Sequence, residues 1–364
     1  MIYRIEDLIK LLNIHQIGST RLRNLVSYFG STEGVLNASF KELKSVPGID
    51  ENIAKCIKNQ KDDVFVKNQI KAVKEHNVRI VTFWDEEYPY NLKKINDPPV
   101  LIYIKGNFLN KDKYSISIVG TRTPTEYGKI IAEKFSKELV SLGLTVISGL
   151  ARGVDSAAHR GAINGGGRTI GVLGSALNRI YPPENLKLAR KVMESGALIS
   201  EFPMGTGPDR ENFPRRNRII SGMSLGTLVV EGRKDSGAII TADFAFSQKR
   251  KVFAVPGSID NPKSEGPHFL IKKGAVLVQS VNDILEELEP ELKGLQTKID
   301  LPEVKIELSE GEEKILNLLS REPIHIDVIC KKGNFTSSSA LSLLLSLELK
   351  GLVKQLPGKM FIRY

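Results

Sequence analysis

Three patterns of apolar and polar positions follow one another along the chain. Between about residues 5 and 75, apolar residues recur at helical spacing and are interrupted by the short segments HQIGST, FGST and VPGID. This pattern predicts a small helical bundle. From residue 115 onward, short apolar runs that end in glycine or a charge alternate with helix-length segments, as in SISIVG, LTVISG, TIGVLG and TLVVEG. Such alternation is typical of a parallel sheet with helices on both faces.

Ligands of such sheets bind beyond the carboxyl ends of the strands, so the loops after the apolar runs form the candidate site. The first loop, GTRTPTEYG, places Gly120, Thr121 and Arg122 between a strand and a helix. Backbone N–H groups and the helix dipole suit a phosphate there, and Arg122 adds a bidentate donor. A tight turn with a solvated arginine explains the same residues, and both interpretations stay open.

Two later segments extend this candidate site. The loop SGLARGVDSAAH repeats a Gly/Arg turn, with Gly149 and Arg152. The segment FPRRNRIISGMS concentrates three arginines beside Asn217, and the guanidinium group suits planar phosphate recognition. These arginines are Arg215, Arg216 and Arg218. Ser236 is a plausible N-cap of the helix that follows TLVVEG. Together the segments predict a basic trough across several strand ends.

The distribution of charge supports an anionic partner. The chain has 52 Lys and Arg against 42 Asp and Glu. Residues 111–285 carry 25 basic and 16 acidic side chains, residues 286–313 carry 3 and 10, and residues 314–364 carry 8 and 3. The two basic blocks are candidates for polyanion binding. The acidic segment between them has the character of a solvated linker.

Other classes of protein find little support in the sequence. No apolar run approaches the ~18 residues that cross a bilayer, and the first residues lack a signal-peptide pattern, so we expect a cytoplasmic protein without membrane contact. Only Cys56 and Cys330 are present, which fits a reducing compartment. There is no P-loop, no G-x-G-x-x-G after a strand and no His/Cys cluster, so we expect neither a cofactor nor a metal. Asp155 and His159, four residues apart, suggest a helix cap with a structural ion pair.

These segments resemble the DNA-processing protein DprA (Smf) family. The resemblance extends over about residues 80–285 and rests on IVGTRTPTEYG, VISGLARGVDSAAHRGAI, TIGVLGSALNRIYPPEN, FPRRNRIISGMS and TLVVEGRKDSGAIITADFAF. It implies a Rossmann-like domain that binds single-stranded DNA, forms a homodimer and loads the RecA recombinase onto DNA during natural transformation. The family is not known for a chemical activity, so no catalytic residue is expected.

The resemblance also implies particular contact residues. With Arg152 added from the second loop, the predicted DNA contacts are Gly120, Thr121, Arg122, Arg152, Lys187, Arg215, Asn217, Arg218, Lys249, Arg250 and Lys251. Lys187 stands in for the basic residue missing at Pro183 in YPPEN. The predicted dimer surface is His268, Phe269, Leu270 and Ile271, although these residues could instead only cover the sheet.

The flanking segments resemble modules seen in the same family. QIGSTRLRNLVSYFG and SVPGIDENIAKCI are similar to helix-hairpin-helix units, here interpreted mainly as packing modules because Asp50 occupies the second hairpin. The C-terminal segment has the helix, helix, helix, β-ribbon order of a winged helix, with Thr336 or a following serine as the cap of a recognition helix that lacks positive charge. The predicted domains are a helix-hairpin-helix (SAM-like) domain at 1–78, a Rossmann-like domain at 79–288, an acidic linker at 289–311 and a winged helix at 312–364.

One alternative function belongs to a different class. Rossmann-like proteins with glycine-rich strand ends include nucleotide-processing enzymes of the phosphoribohydrolase type. Such an enzyme needs a positioned carboxylate, and Glu201 and Glu231 each follow an apolar run. The leading hypothesis remains a non-catalytic, DNA-binding recombination mediator that protects incoming DNA.

Overall fold

The computed structural model describes residues 2–60, 62–295, 308–320 and 322–363. The chain divides into two compact units, Met1–Thr297 and Lys298–Tyr364. The helices of the first unit are α1 Ile5–Leu12, α2 Ser19–Phe29, α3 Thr32–Asn37, α4 Phe40–Lys44, α5 Glu51–Lys58, α6 Asp63–Glu75, α7 Glu126–Ser141, α8 Val154–Asn164, α9 Leu186–Ser195, α10 Asn212–Met223, α11 Gly237–Ser247, α12 Glu265–Lys272, α13 Val281–Glu287 and α14 Glu289–Leu292. Its strands are β1 Arg79–Thr82, β2 Leu101–Gly106, β3 Ser115–Val119, β4 Thr145–Ser148, β5 Thr169–Val172, β6 Ala197–Ser200, β7 Gly226–Val229, β8 Lys251–Ala254 and β9 Val276–Leu277.

The nine strands form one sheet with the order β1-β2-β6-β5-β4-β3-β7-β8-β9. The strands from β6 to β9 in this order pair in parallel, and β2 pairs antiparallel with both β1 and β6. After β3 the chain builds β4, β5 and β6 on one side and then returns to the other side with β7 and β8. The strand order therefore reverses between β3 and β7, and a crevice opens at the carboxyl ends of these two strands.

Helices cover both faces of this sheet. Helices α10, α11 and α12 pack over one apolar cluster, and α7, α8 and α13 pack over a second cluster on the opposite face. Every residue of β3 is buried. Because neither face meets water, the strands are continuous apolar runs, as the sequence pattern predicts.

The N-terminal helices share their core with the edge of the sheet. Helices α1 to α6 bury residues such as Leu8 and Leu22, and the same apolar cluster includes Val100 and Leu101 at the start of β2. A buried pair of hydrogen bonds joins Gln69 of α6 to the backbone N and O of Met204, at 2.8 and 3.0 Å. The helical bundle is thus present as predicted, but it is continuous with the sheet in one compact unit.

In the second unit, the described residues 308–320 and 322–363 form three helices and a small sheet. These are α15 Glu310–Leu318, α16 Ile326–Gly333 and α17 Ser337–Leu349, with β10 Ile324–His325, β11 Val353–Leu356 and β12 Met360–Arg363 in the order β10-β12-β11. The Thr336 hydroxyl accepts the Ser339 N–H at 3.2 Å and caps α17, as predicted. The order of helices and ribbon is that of a winged helix, with the short β10 as an additional strand.

Within the described residues, no helix is both long and apolar enough to cross a membrane.

Candidate nucleic-acid interface

A wide cleft lies at the carboxyl ends of β3, β4 and β7, where the strand order reverses. Its volume is about 820 Å³. The loop after β3, the start of α10 and the start of α11 form its walls. The cleft lies at the edge of the sheet where the sequence analysis placed the candidate site, because glycine-bearing loops follow these strands.

The loop after β3 is held in a fixed conformation by the end of β7. A Cβ atom on Gly120 would lie 2.8 Å from Cβ of Val154 and 2.9 Å from the carbonyl oxygen of Glu231, so only glycine fits there. Thr121 donates its N–H to that Glu231 carbonyl at 2.7 Å. The N–H of Thr121 is therefore already used, which leaves the Arg122 side chain as the clearest phosphate donor of this loop.

The Glu231 carboxylate has a structural role in the same loop. It accepts the N–H of Thr125 at 2.8 Å and the Thr125 hydroxyl at 2.6 Å. The Thr125 hydroxyl in turn accepts the N–H of Gly128 at 3.1 Å, which caps α7. Both carboxylate oxygens are thus engaged, as one expects of a residue that shapes the loop.

The loop after β4 is not an open phosphate cradle. The buried carboxylate of Asp155 accepts the N–H groups of Gly149 and Ala151 at 3.1 and 3.4 Å. Burial raises the pKa of Asp155, and the nearby Arg216 partly opposes this shift. Arg152 points to the surface and forms an ion pair with Glu184. A protein carboxylate therefore occupies the position that the sequence suggested for a phosphate.

The expected ion pair between Asp155 and His159 is absent, and the expectation was wrong. Nδ1 of His159 lies 2.7 Å from the Thr169 hydroxyl, in a site without solvent exposure. Burial lowers the pKa of His159 to about 3, so the imidazole is neutral at physiological pH. The two side chains contribute separately to the packing of α8.

Arg216 forms part of the floor of the cleft and is almost entirely buried. It is 5% exposed and donates from Nη1 to the carbonyl oxygen of Gly149 at 2.5 Å and to that of Val172. Burial lowers its pKa to about 10, so the guanidinium stays charged at neutral pH. A fixed positive charge is thereby held in the floor of the cleft.

Arg218 is also committed to partners within the protein. Its side chain is 12% exposed. It donates from Nη2 to the Glu201 carboxylate and from Nη1 to the carbonyl oxygen of Asp97, the latter at 2.6 Å. Burial raises the pKa of Glu201, and Arg218 is the main group that opposes this rise. Arg218 does not line the cleft, so its predicted DNA contact remains a prediction without support from its position.

The exposed groups of the cleft combine arginines with aromatic rings. Arg122 lies over the ring of Phe213, and the Phe213 ring contacts the Tyr181 ring, 5.9 Å between centroids. Arg210 is exposed on the same wall, and Asn217 also lines the cleft. The sequence analysis missed Arg210 and Phe213, whereas Tyr181 begins the YPPEN turn, around which the resemblance implied a contact. Aromatic residues close to the arginine cluster in the sequence were the available signal, because such combinations favour single-stranded nucleic acids.

The start of α11 adds a site suited to an anion. Ser236 occupies the N-cap position as predicted, but its hydroxyl is buried and makes no hydrogen bond. Ser236 and Gly237 both line the cleft. The first N–H groups of a helix lack partners within the helix, so a phosphate oxygen here would find donors and a favourable dipole.

The remaining predicted DNA contacts lie outside the cleft. Arg215 is exposed beside Phe202, 5.3 Å from the ring centroid, and Lys187 is exposed on α9. Lys249, Arg250 and Lys251 lie at the start of β8, where Lys251 pairs with Gly226, the first residue of β7. The last three residues are therefore at the amino ends of the strands, opposite the cleft. The structure therefore does not contain the single basic trough that was predicted to include both these three residues and Arg122.

The predicted dimer residues are only partly exposed. Leu270 is 0% exposed and belongs to the core beneath α12, so it cannot form part of a surface in the folded chain. Phe269 and Ile271 are partly buried against the same core. Nε2 of His268 lies 3.1 Å from the carbonyl oxygen of Gly257. The neighbouring β9 is the last strand of the sheet.

Among the residues that the structure describes, no three His, Cys, Asp or Glu side chains come together as a metal site.

The fold and the cleft define a Rossmann-like α/β protein with a cationic, aromatic cleft, an N-terminal helical bundle and a C-terminal winged helix. Family models support each part. The model of DNA recombination-mediator protein A matches residues 79–289, that of the SAM-like helix-hairpin-helix tandem matches residues 8–60, and that of the DprA winged helix domain matches residues 300–359. The chain belongs to the DNA recombination-mediator protein A family, known as DprA or Smf, and the resemblance seen in the sequence is confirmed.

Individual relatives agree with this assignment. Protein Smf of Escherichia coli is 37% identical over 300 residues, which cover 80% of this chain and 79% of that protein. Protein Smf of Synechocystis is 33% identical over 383 residues, which cover 95% and 96% of the two chains.

Two solved structures are similar to this chain. The X-ray structure of DNA processing protein A from Streptococcus pneumoniae has a TM-score of 0.70 at 31% identity, and the match covers 79% of this chain and 99% of that one. DNA processing protein A from Helicobacter pylori, studied for its single-stranded DNA binding mode, has a TM-score of 0.53 at 26% identity. That match covers 59% of this chain and 96% of that one.

Proposed function

We propose that this protein binds single-stranded DNA in the cleft between β3 and β7 and acts as a non-catalytic recombination mediator. In this role it protects incoming DNA during natural transformation and loads RecA onto it, in the cytoplasm. Membership of the recombination-mediator family supports the proposal. So does the similarity to the Helicobacter pylori protein, which binds single-stranded DNA.

The observation that carries the proposal is the arrangement of Arg122, Phe213 and Tyr181. Bases of an unpaired strand can stack on exposed rings, and this stacking tolerates any sequence because every base has a π-face. Arg122 and Arg210 would meet the phosphates of the same strand. A duplex hides its bases from such rings, so the cleft favours a single strand.

Several predicted contacts remain part of this proposal. Gly120 and Thr121 shape the loop that presents Arg122, and Asn217 holds the start of α11 by donating to the Gly237 carbonyl oxygen at 3.3 Å. Arg215 and Lys187 would extend the path of the strand beyond the cleft. Arg152 can contribute once its ion pair with Glu184 opens.

The proposed partners are a second copy of the chain and RecA. The partly exposed Phe269 and Ile271 of α12, next to the edge strand β9, are the proposed dimer surface. A dimer would present two clefts to one strand, and simultaneous engagement raises avidity by about 10² or more. RecA would meet the same region and compete with self-association.

A nucleotide-processing enzyme is the alternative from another class. Its candidate carboxylates have other tasks, since Glu231 is hydrogen-bonded to Thr125 and Glu201 is ion-paired with Arg218. One experiment compares the two functions directly. Fluorescence anisotropy with single- and double-stranded oligonucleotides, run beside a nucleotide-hydrolysis assay, should show preference for the single strand and no hydrolysis. Hydrolysis without oligonucleotide binding would contradict the proposal.

A further inference from the structure

A second cationic, aromatic surface lies at the amino ends of the strands, on the side of the sheet opposite the cleft. We call it the Asn91 surface and define it by Tyr90, Lys93, Lys94, Lys113 and Lys249. The buried side chain of Asn91 joins its parts. Asn91 Nδ2 donates to the carbonyl oxygens of Lys113 and Met223 at 2.7 and 3.0 Å, and Arg250 donates to the Asn91 carbonyl oxygen at 2.9 Å. Four segments distant in sequence therefore meet at one point.

The lysines of this surface form no ion pairs within the described part of the chain. Among the described residues, no carboxylate oxygen lies within 4.0 Å of the ammonium group of Lys93, Lys94, Lys113 or Lys249. All four side chains are exposed. By contrast, the adjacent Lys251 is paired with Glu287 at 2.6 Å. The surface thus keeps an unneutralised positive charge that an external anion can meet.

Aromatic rings lie among these lysines. Tyr90 is 59% exposed, and Nζ of Lys94 lies 3.7 Å from its ring centroid. Lys93 is similarly placed 5.1 Å from the Phe83 ring. A groove of about 320 Å³ runs between Tyr90, Lys93, Phe108 and Lys113. The exposed Tyr90 ring offers a face on which a base can stack.

Two carboxylates also border this groove, and their positions limit their effect. Asp85 is already engaged, because it accepts the Tyr3 hydroxyl and the N–H of Thr82 at 2.7 Å. Glu86 is exposed at the rim. Lys93 and Lys113 line the groove together with these two carboxylates, so the excess positive charge of the surface comes from Lys94 and Lys249.

Lys249 extends this surface at the end of α11. Its φ of 58° belongs to the turn that closes this helix, in which Arg250 donates its N–H to the carbonyl oxygen of Ala245 at 2.8 Å. The Lys249 side chain is exposed just ahead of β8. Lys249 was among the contacts expected from the sequence, and the structure places it on this surface.

We propose that the Asn91 surface is a second contact site for single-stranded DNA. It binds the part of the DNA strand that extends beyond the cleft. The chemistry it offers is ammonium groups for phosphates and the Tyr90 ring for a base. This inference rests on the proposed function for the source of the strand, but it concerns different residues. A strand bound at both ends of the sheet would be held over a longer path than the cleft alone provides.

The test uses the full chain and two oligothymidylates, one of about 10 nucleotides, which occupies one site, and one of about 40 nucleotides. The double variant Lys94→Ala/Lys113→Ala should bind the long strand roughly tenfold more weakly at 0.15 M salt, with a salt slope lower by about 1.4. Its binding of the short strand should change less than about twofold, because the cleft holds that strand. Tyr90→Ala should weaken long-strand binding further, and Tyr90→Phe should not. A matched control is Lys41→Ala/Lys67→Ala, which removes two exposed lysines of the helical bundle.

The outcomes separate this inference from the proposed function. If Arg122→Ala weakens binding of both strands while the Lys94/Lys113 variant binds the long strand like the wild type, the inference is overturned and the cleft remains. If the reverse holds, the cleft assignment fails and the Asn91 surface stands. Competition by polyglutamate as effective as competition by oligothymidylate would overturn the nucleic-acid assignment. Absence of any binding to either strand would overturn both.

Discussion

The guanidinium of Arg122 lies over the ring of Phe213, with Cζ 5.5 Å from the ring centroid. The ring restricts an otherwise free side chain, so less conformational entropy is lost when Arg122 meets a phosphate. Tyr181 supports the ring from the side, at an interplanar angle of 45°. One cation and two rings are thereby held together at the point where the strand order reverses.

The first prediction concerns this pair. Arg122→Ala should weaken single-stranded DNA binding by a similar factor for all sequences, and should lower the salt slope by about 0.7, because one phosphate contact is lost. Phe213→Ala should weaken binding while leaving the slope nearly unchanged, since a ring releases no counterion. Fluorescence anisotropy at several salt concentrations measures both quantities.

Arg160→Ala is the control for this experiment, because Arg160 is an exposed arginine of α8 that pairs with Glu133 at 3.4 Å. It should bind DNA like the wild type. Equal affinity and slope in Arg122→Ala, with an intact fold, would refute the role of Arg122 in the cleft.

The second prediction separates two neighbouring arginines. Arg216→Met should destabilise the first unit by about 1–3 kcal/mol, because the carbonyl groups of Gly149 and Val172 lose a buried charged donor. Arg215→Met should change the free energy of unfolding by less than about 0.5 kcal/mol, since Arg215 is exposed. Urea unfolding followed by the fluorescence of Trp84 reports on this unit. Equal stability of the two variants would contradict the assignment.

The same pair shows what the sequence could predict. The sheet and its loops follow from the continuous apolar runs, so the location of the cleft was predictable. Consecutive residues of a helix point about 100° apart, and only the packing of α10 decides that Arg215 faces water and Arg216 the interior. The position of Lys249 could have been inferred, because a residue that precedes a strand lies at its amino end. The ion pair between Arg218 and Glu201 joins two separate segments of the chain, so no local sequence pattern could have predicted it.

The third prediction concerns pH and the second unit. The Glu312 carboxylate accepts from Lys350 at 2.7 and 2.8 Å, from the backbone N–H of Ser309 at 2.7 Å and from the Ser346 hydroxyl at 2.7 Å. These bonds lower the pKa of Glu312 from 4.5 to about 2. The Glu312 carboxyl group therefore binds a proton less tightly in the folded state than in the unfolded state. The resulting stabilisation is complete above about pH 4.5 and is lost as the pH falls toward 2.

Hydrogen exchange of α15 and α17 peptides, corrected for intrinsic rates, measures this effect in the full chain. Protection should fall between pH 4.5 and 2 in the wild type. Glu312→Gln should be less protected at neutral pH and should show a smaller fall. Glu310→Gln, in the same helical turn and exposed, is the control. An identical pH profile in wild type and Glu312→Gln would exclude this origin.

The fourth prediction tests which unit binds DNA. A chain that ends at residue 297 keeps every residue that lines the cleft and should bind single-stranded DNA within about threefold of the full chain. The winged helix has little to add, because its α17 exposes Leu341, Leu345 and Leu349 where a reader of base edges needs polar or basic side chains. Loss of binding in the shortened chain would transfer the main site to the second unit.

Removal of residues 1–78 is a different experiment with a different expected result. It would uncover Val100 and Leu101, which belong to the core of the N-terminal helices. We expect a destabilised chain, so that any loss of DNA binding would follow from unfolding. Thermal denaturation measured beside DNA binding distinguishes this cause from the loss of a contact.

The last prediction concerns self-association through α12. Leu270 is fully buried, whereas Ile271 is partly exposed and only packs against the core. Leu270→Glu should therefore unfold or strongly destabilise the chain, because it places a charge in an apolar core. If α12 forms the dimer surface, Ile271→Glu should give a folded monomer with weaker binding to long single strands, since two linked clefts bind more tightly than one. Sedimentation velocity at tens of micromolar, with circular dichroism of each variant, measures both effects. A wild-type chain that sediments as a monomer at this concentration would exclude the dimer. If the Ile271→Glu chain is still a dimer, the interface does not lie on α12. The edge strand β9, which exposes Leu277, would then be the next surface to test.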